Sequence, residues 1–113
     1  MKQTVETDIL APFEIWEVPF GDSTIKFFEP LVLTPTWVPD DPEEPDENEY
    51  LQIIFPELAI DVFAENRDEL LAWVHSSIFI NWKLFVSKDD SELIPSTRAL
   101  KRKYLAVAEV IDG

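Results

Sequence analysis

From Tyr50 to Phe85 the chain reads YLQIIFPELAIDVFAENRDELLAWVHSSIFINWKLF, a strand, a turn, a second strand and a helix in unbroken succession. Leu51, Ile53 and Phe55 alternate with Tyr50, Gln52 and Ile54, the period of two that belongs to a strand. Pro56 has no backbone donor, so pairing stops there. Ile60 to Phe63 supplies the next strand. Asn66 can then accept backbone donors of a helical first turn, and Glu69 stands three residues on, where a capping box places its acid. A helix from Arg67 to about Val86 follows. On a wheel of 100° per residue, Leu70, Leu71, Val74, Ile78, Trp82 and Phe85 share the face that packs on the sheet. Trp73, Ile80 and Leu84 form a second apolar row, wider than one sheet face covers. A C-terminal helix or another copy of the chain is expected to bury that row, which makes it the candidate dimer contact. Phe79 lies further round.

On the N-terminal side, FEIWEVPF reads as a strand, Gly21-Asp22-Ser23 as a turn, and Thr24 to Leu33 as the answering strand of a hairpin. Pro30 marks that strand as weakened or at an edge, and Thr36-Trp37-Val38, bracketed by Pro35 and Pro39, reads as its bent continuation. Asp40 to Glu49, DDPEEPDENE, holds seven acids among its ten residues and reads as a solvated connector between two hairpin strands. After the SKDDSE loop, Pro95 opens a last helix over about 97–110, with Ser96 and Thr97 competing for its cap. Leu100, Tyr104, Val107, Ala108 and Ile111 mark its apolar side, while Arg98, Lys101, Arg102 and Lys103 gather on the other. Those cations balance the acidic field or pair with the 40–49 run. The predicted architecture is α+β: a single domain over 1–113, with a three- to four-stranded, mainly antiparallel sheet, one long helix and a short C-terminal helix.

Charge narrows the function classes. Asp and Glu outnumber Lys and Arg by 23 to 9, for a net −14, so nucleic-acid phosphates are repelled and a basic protein is the partner expected. Trp16, Phe27, Phe28 and Trp37 resemble a base-stacking platform in type, but Glu14, Glu17 and Glu29 interleave with them where cations are needed. The N-terminus MKQTVETDIL lacks the features of a secretory signal, and no apolar run approaches a membrane span, so the expected location is cytoplasmic.

Catalytic chemistry is sparse. There is no Cys, and His75 is the one His, at the border of the helix's apolar face. Gly21 and Gly113 are the only glycines, too few for a phosphate-cradling loop. The acidic run lacks the sharp-turn glycine of a calcium loop and places prolines where carbonyls must converge. No catalytic, cofactor-binding or metal-binding residue is therefore assigned, and binding without turnover is expected.

The order Tyr50-Leu51-Gln52-Ile53-Ile54-Phe55-Pro56-Glu57-Leu58, then Ile60-Asp61-Val62-Phe63-Ala64, then Glu65-Asn66-Arg67-Asp68-Glu69-Leu70-Leu71 resembles the core of the HicB-like antitoxin superfamily. That segment is about a fifth of the chain, which departs from the family pattern at Ala59 and at Glu65-Asn66, where glycines are usual. The resemblance implies a truncated RNase H-like core without ribonuclease activity, and an antitoxin or immunity role against a basic enzyme such as a nuclease. On that expectation Asp40, Asp41, Glu43, Glu44, Asp46 and Glu47 steer the partner, with Trp37 as an anchor beside them. The other function class is a homodimeric scaffold or regulatory protein closed by Trp73, Ile80 and Leu84.

Overall fold

The computed structural model describes residues 10–39 and 49–112. Among these residues six strands form two antiparallel three-stranded sheets. Strands β1 (Phe13–Phe20) and β2 (Ser23–Leu33) pair as a hairpin, and β6 (Ala108–Asp112) joins the other side of β2. The second sheet runs β3 (Thr36–Pro39), β4 (Glu49–Phe55), β5 (Ile60–Ala64) in sequence order. Helix α1 (Arg67–Asn81) packs against β1 of the first sheet and β4 and β5 of the second, and α2 (Pro95–Val107) leads into β6. Side chains from both sheets and both helices meet in one buried cluster.

Local chemistry explains most boundaries. The β1–β2 turn is Gly21-Asp22, with φ +63° at Gly21, the position of a type II′ hairpin turn that glycine occupies without a Cβ clash. Pro19 lies on β1, an edge strand, where a missing donor is tolerated. Pairing then breaks: Ile15 faces Leu31 but Glu17 faces Lys26, so Trp16 alone stands opposite Phe27 to Pro30. Pro30 thus falls in a bulge. Beyond it Glu17, Lys26 and Glu109 lie side by side across three strands, an alternation of charge that favours this register by about 0.2–1 kcal/mol per pair.

Pro56 ends β4 in a short 3-10 turn, and Ala59 closes that turn with φ 55° and ψ 44°. This is the left-handed region, disfavoured for a residue with a Cβ. Ala59→Gly is accordingly expected to raise folding stability by about 0.5–1 kcal/mol, read as a higher urea midpoint at unchanged slope. Asn66 caps α1 as its spacing predicts, its side-chain oxygen accepting from the Glu69 N–H at 2.9 Å.

Four features depart from the sequence reading. Thr36-Trp37-Val38 does not continue β2 in its sheet; after Thr34-Pro35 the chain changes sheets and pairs with β4. The strands among the described residues accordingly number six, three in each of two sheets, while the α+β class, the antiparallel pairing and the long helix stand. Phe85 is only half-buried and Val86 takes its place in the core, because residues 82–86 form a π-helical turn that adds one residue and shifts the helical phase. The last helix begins earlier and ends earlier than 97–110: Pro95 is its first residue, Ile94 holds the cap position, and the Thr97 hydroxyl donates to the Ile94 carbonyl at 2.9 Å. Ala108 to Asp112 becomes a strand because the Ser23–Phe27 side of β2 offers it a full ladder of partners.

Candidate partner-binding surfaces

The core sides of the two sheets follow from register. Leu51, Ile53 and Phe55 share a side with Ala64, Val62 and Ile60, and that side meets α1. Trp37 is opposite Leu51 on the same side, at the end of the sheet where cover runs out, and is 37% exposed. It stands two residues before Pro39, which pairs with Glu49. The acidic run is therefore the connector of the β3–β4 hairpin, as its composition predicts. Asp40, Asp41, Glu43, Glu44, Asp46 and Glu47 themselves lie outside the described residues.

The opposite side of the second sheet carries Val38 and Tyr50, then Thr36, Gln52 and Phe63, then Ile54 and Asp61. Nothing among the described elements covers it. Phe63 is 62% and Ile54 58% exposed, and the Phe63 and Tyr50 rings lie 5.2 Å apart at 51°. Sequence alternation locates these residues on one side but leaves open which side is outward, since both sides are apolar. The separating signal is Asp61, which shares the side of Ile54 and has no place in a core.

Along α1 and the π-helical turn that continues it, Leu70, Val74 and Ile78 are buried, whereas Trp73, Ile80 and Leu84 are each about half exposed. The C-terminal helix does not bury that row; it packs on the π-helical turn and the turn at Pro56–Leu58 instead. Phe79 is partly covered, with its ring 5.2 Å from that of Phe20. The stacking platform considered from composition is not assembled: Phe27 is a core residue, 1% exposed, and Trp37 belongs to the other sheet.

Two polar side chains and one backbone carbonyl hold the core's far end. The Tyr104 hydroxyl donates to the Leu58 carbonyl at 2.6 Å, and Asn81 Nδ2 donates to that hydroxyl at 3.0 Å and to the Leu58 carbonyl at 3.1 Å. Burial pushes the Tyr104 phenol up to about 12, with the Asn81 hydrogen bond acting in the other direction. The folded state thus keeps a proton that the unfolded chain releases near its ordinary value of 10.0. Stability from this group is whole below that value and falls as pH rises from there toward about 12. Tyr104→Phe is expected to flatten this alkaline loss in urea melts taken as a function of pH, while lowering stability at neutral pH.

The predicted basic side of α2 is partly committed. Lys101 Nζ lies 3.0 Å from Asp90 and donates to the Lys88 carbonyl, and Arg98 Nε donates to the carbonyls of Asp90 and Leu93. The hydrogen bond and charge of Lys101 hold the Asp90 carboxyl below its ordinary value. These cations tie the 88–93 connector to the helix. At the N-terminus of α1, Arg67 sits 4.0 Å over the Phe13 ring and donates to the Ala11 carbonyl.

A shallow cleft of about 440 Å³ lies between β1 and α1, lined by Val18, Pro19, His75, Ser76, Phe79 and Ile80. Burial lowers the His75 pKa, favouring the neutral imidazole. Ser76 follows it directly, and consecutive helix positions do not face each other, so the pair lacks the geometry of a nucleophile and its base. Among the described residues no group of three or more His, Cys, Asp or Glu could hold a metal ion, and no helix is long and apolar enough to cross a membrane. Comparison with family models, with curated proteins and with solved structures found no match to this chain.

Proposed function

We propose that the protein is a non-catalytic binding protein for a basic protein partner, in the manner of the HicB-like antitoxins and immunity proteins that Tyr50–Leu71 resembles. The supporting observation is a charge asymmetry aligned with the fold. The forty residues from Phe27 to Asn66 hold eleven acids and no Lys, Arg or His, and they include all of β3, β4 and β5. Such a sheet attracts a basic surface at long range and offers apolar side chains at contact. A partner of this kind is a cytoplasmic nuclease or toxin whose nucleic-acid site is itself basic, and covering that site neutralises it. The test is a pull-down from native lysate at low and high salt. A basic nuclease-like protein retained at low salt and lost at high salt supports the reading; recovery of the chain alone at both argues against it.

A second reading, a homodimeric scaffold or regulatory protein, is favoured by one observation. Leu70 to Trp82 contains no Asp, Glu, Lys or Arg, yet Trp73 and Ile80 within it are each 49% exposed. Two copies of a chain of net −14 meet with least repulsion across such an uncharged face. Sedimentation at micromolar concentration decides: a monomer removes this reading.

A further inference from the structure

Resting on the reading that the partner is basic, we propose that the outer face of the β3–β4–β5 sheet is where it docks, with Tyr50, Ile54 and Phe63 at the apolar centre and Asp61 among them. The occupant is a protein surface whose arginines surround an apolar contact. Three observations on this face converge. Phe63 and Ile54 are more exposed than any other apolar side chain of the second sheet, on a rigid antiparallel ladder that needs no reordering to bind. The tilted Tyr50–Phe63 pair presents aromatic faces on which a guanidinium stacks. Asp61, directly opposite Ile54, supplies a carboxylate within reach of the same guanidinium.

Charge selects the occupant. A second copy of this chain packed by the same face would set Asp61 against Asp61 with no counterion, because no cation occurs anywhere from Phe27 to Asn66. An arginine-bearing partner meets complementary charge instead. Nucleic acid is repelled, and an uncharged apolar partner would leave Asp61 desolvated without a counterion.

The probe is a synthetic peptide of alternating Arg and Leu, titrated into the isotope-labelled full chain at low and high salt and followed by amide NMR shifts. The expected result is salt-sensitive binding with shifts concentrated at Val38, Tyr50, Gln52, Ile54, Asp61 and Phe63. Phe63→Ser and Ile54→Ser each weaken it about tenfold, while Trp73→Ser on α1 leaves it unchanged. Both sheet side chains are more than half exposed, so their replacement leaves the core intact, which thermal melting checks. Salt-sensitive binding with shifts elsewhere, on the Trp73 row or confined to 40–49, overturns the docking face and leaves the basic-partner reading standing. Shifts on the face that persist undiminished in both serine variants overturn it too. No binding at low salt overturns the basic-partner reading, and the docking face falls with it.

Discussion

Trp82→Ala is expected to lower folding stability by about 3–5 kcal/mol, a large share of the roughly 5–15 kcal/mol that holds a domain of this size together. Trp82 is 4% exposed and sits edge-on to Tyr104, ring centroids 6.0 Å apart at 83°. Truncation removes the indole from the place where α2 meets the end of α1, and leaves a cavity that the surrounding turn cannot fill without breaking the Asn81–Tyr104–Leu58 hydrogen bonds. Urea unfolding checks it through the midpoint at constant slope. Trp73 on the same helix is the internal control. Half-exposed, it should cost the monomer about 1 kcal/mol or less on replacement by Ala. Equal losses at the two tryptophans would mean that the Trp73 row is covered in solution, which is the signature of self-association.

Neutralising the six acids of the hairpin connector together, as Asp40→Asn, Asp41→Asn, Glu43→Gln, Glu44→Gln, Asp46→Asn and Glu47→Gln, is expected to slow association with the basic partner about ten- to a hundredfold. The mechanism is steering. The run from Asp40 to Glu49 carries seven of the 23 acids, half of the net charge, at one end of one hairpin. The long-range field therefore points from that end, and the salt dependence of the association rate should shrink with the charge. Dissociation should change much less if the contacts made after docking are those proposed for the sheet face. Surface-plasmon kinetics on the partner recovered from lysate separate the two rates. Unchanged association would remove the run from the binding reading and leave it as a connector that keeps the protein soluble.

Different kinds of information in the chain specify its fold and its candidate surfaces. Alternation in Tyr50 to Phe55, the donorless Pro56 and the Asn66 cap are local signals, each decided by residues within one turn or strand, and each appears in the structure where its chemistry puts it. The π-helical turn is not local in that sense. A wheel of fixed pitch carries Phe85 to the core, whereas the turn's added residue brings in Val86 beside the packed Trp82 and Tyr104. Val107, Ala108 and Ile111 have a helical spacing, yet only Val107 stays in the helix: the vacant side of β2 claims Ala108 and Ile111 as strand, a partner some 80 residues away that no window shows. The candidate surface divides likewise. The acidic run and the Trp73 row are legible as composition and periodicity. The Tyr50–Ile54–Phe63 face required the register of three strands, because Leu51 and Ile54 are equally apolar and only one of them is covered.

The pairing of β2 with β6 also sets an order of assembly. The β1–β2 hairpin and the β3–β4–β5–α1 unit join neighbours in the chain and can form as synthesis proceeds. The first sheet waits for its last strand, whose register runs from Ser23 with Asp112 to Phe27 with Ala108, closed by the Ser23 hydroxyl donating to the Asp112 carboxylate at 3.1 Å. Until then the Ser23–Phe27 stretch presents unpaired backbone groups beside the apolar Ile25 and Phe27, the kind of edge on which strands of other chains add. Nascent chains stalled before residue 108 are thus expected to keep this edge open to aggregation, and the five residues of β6 close it.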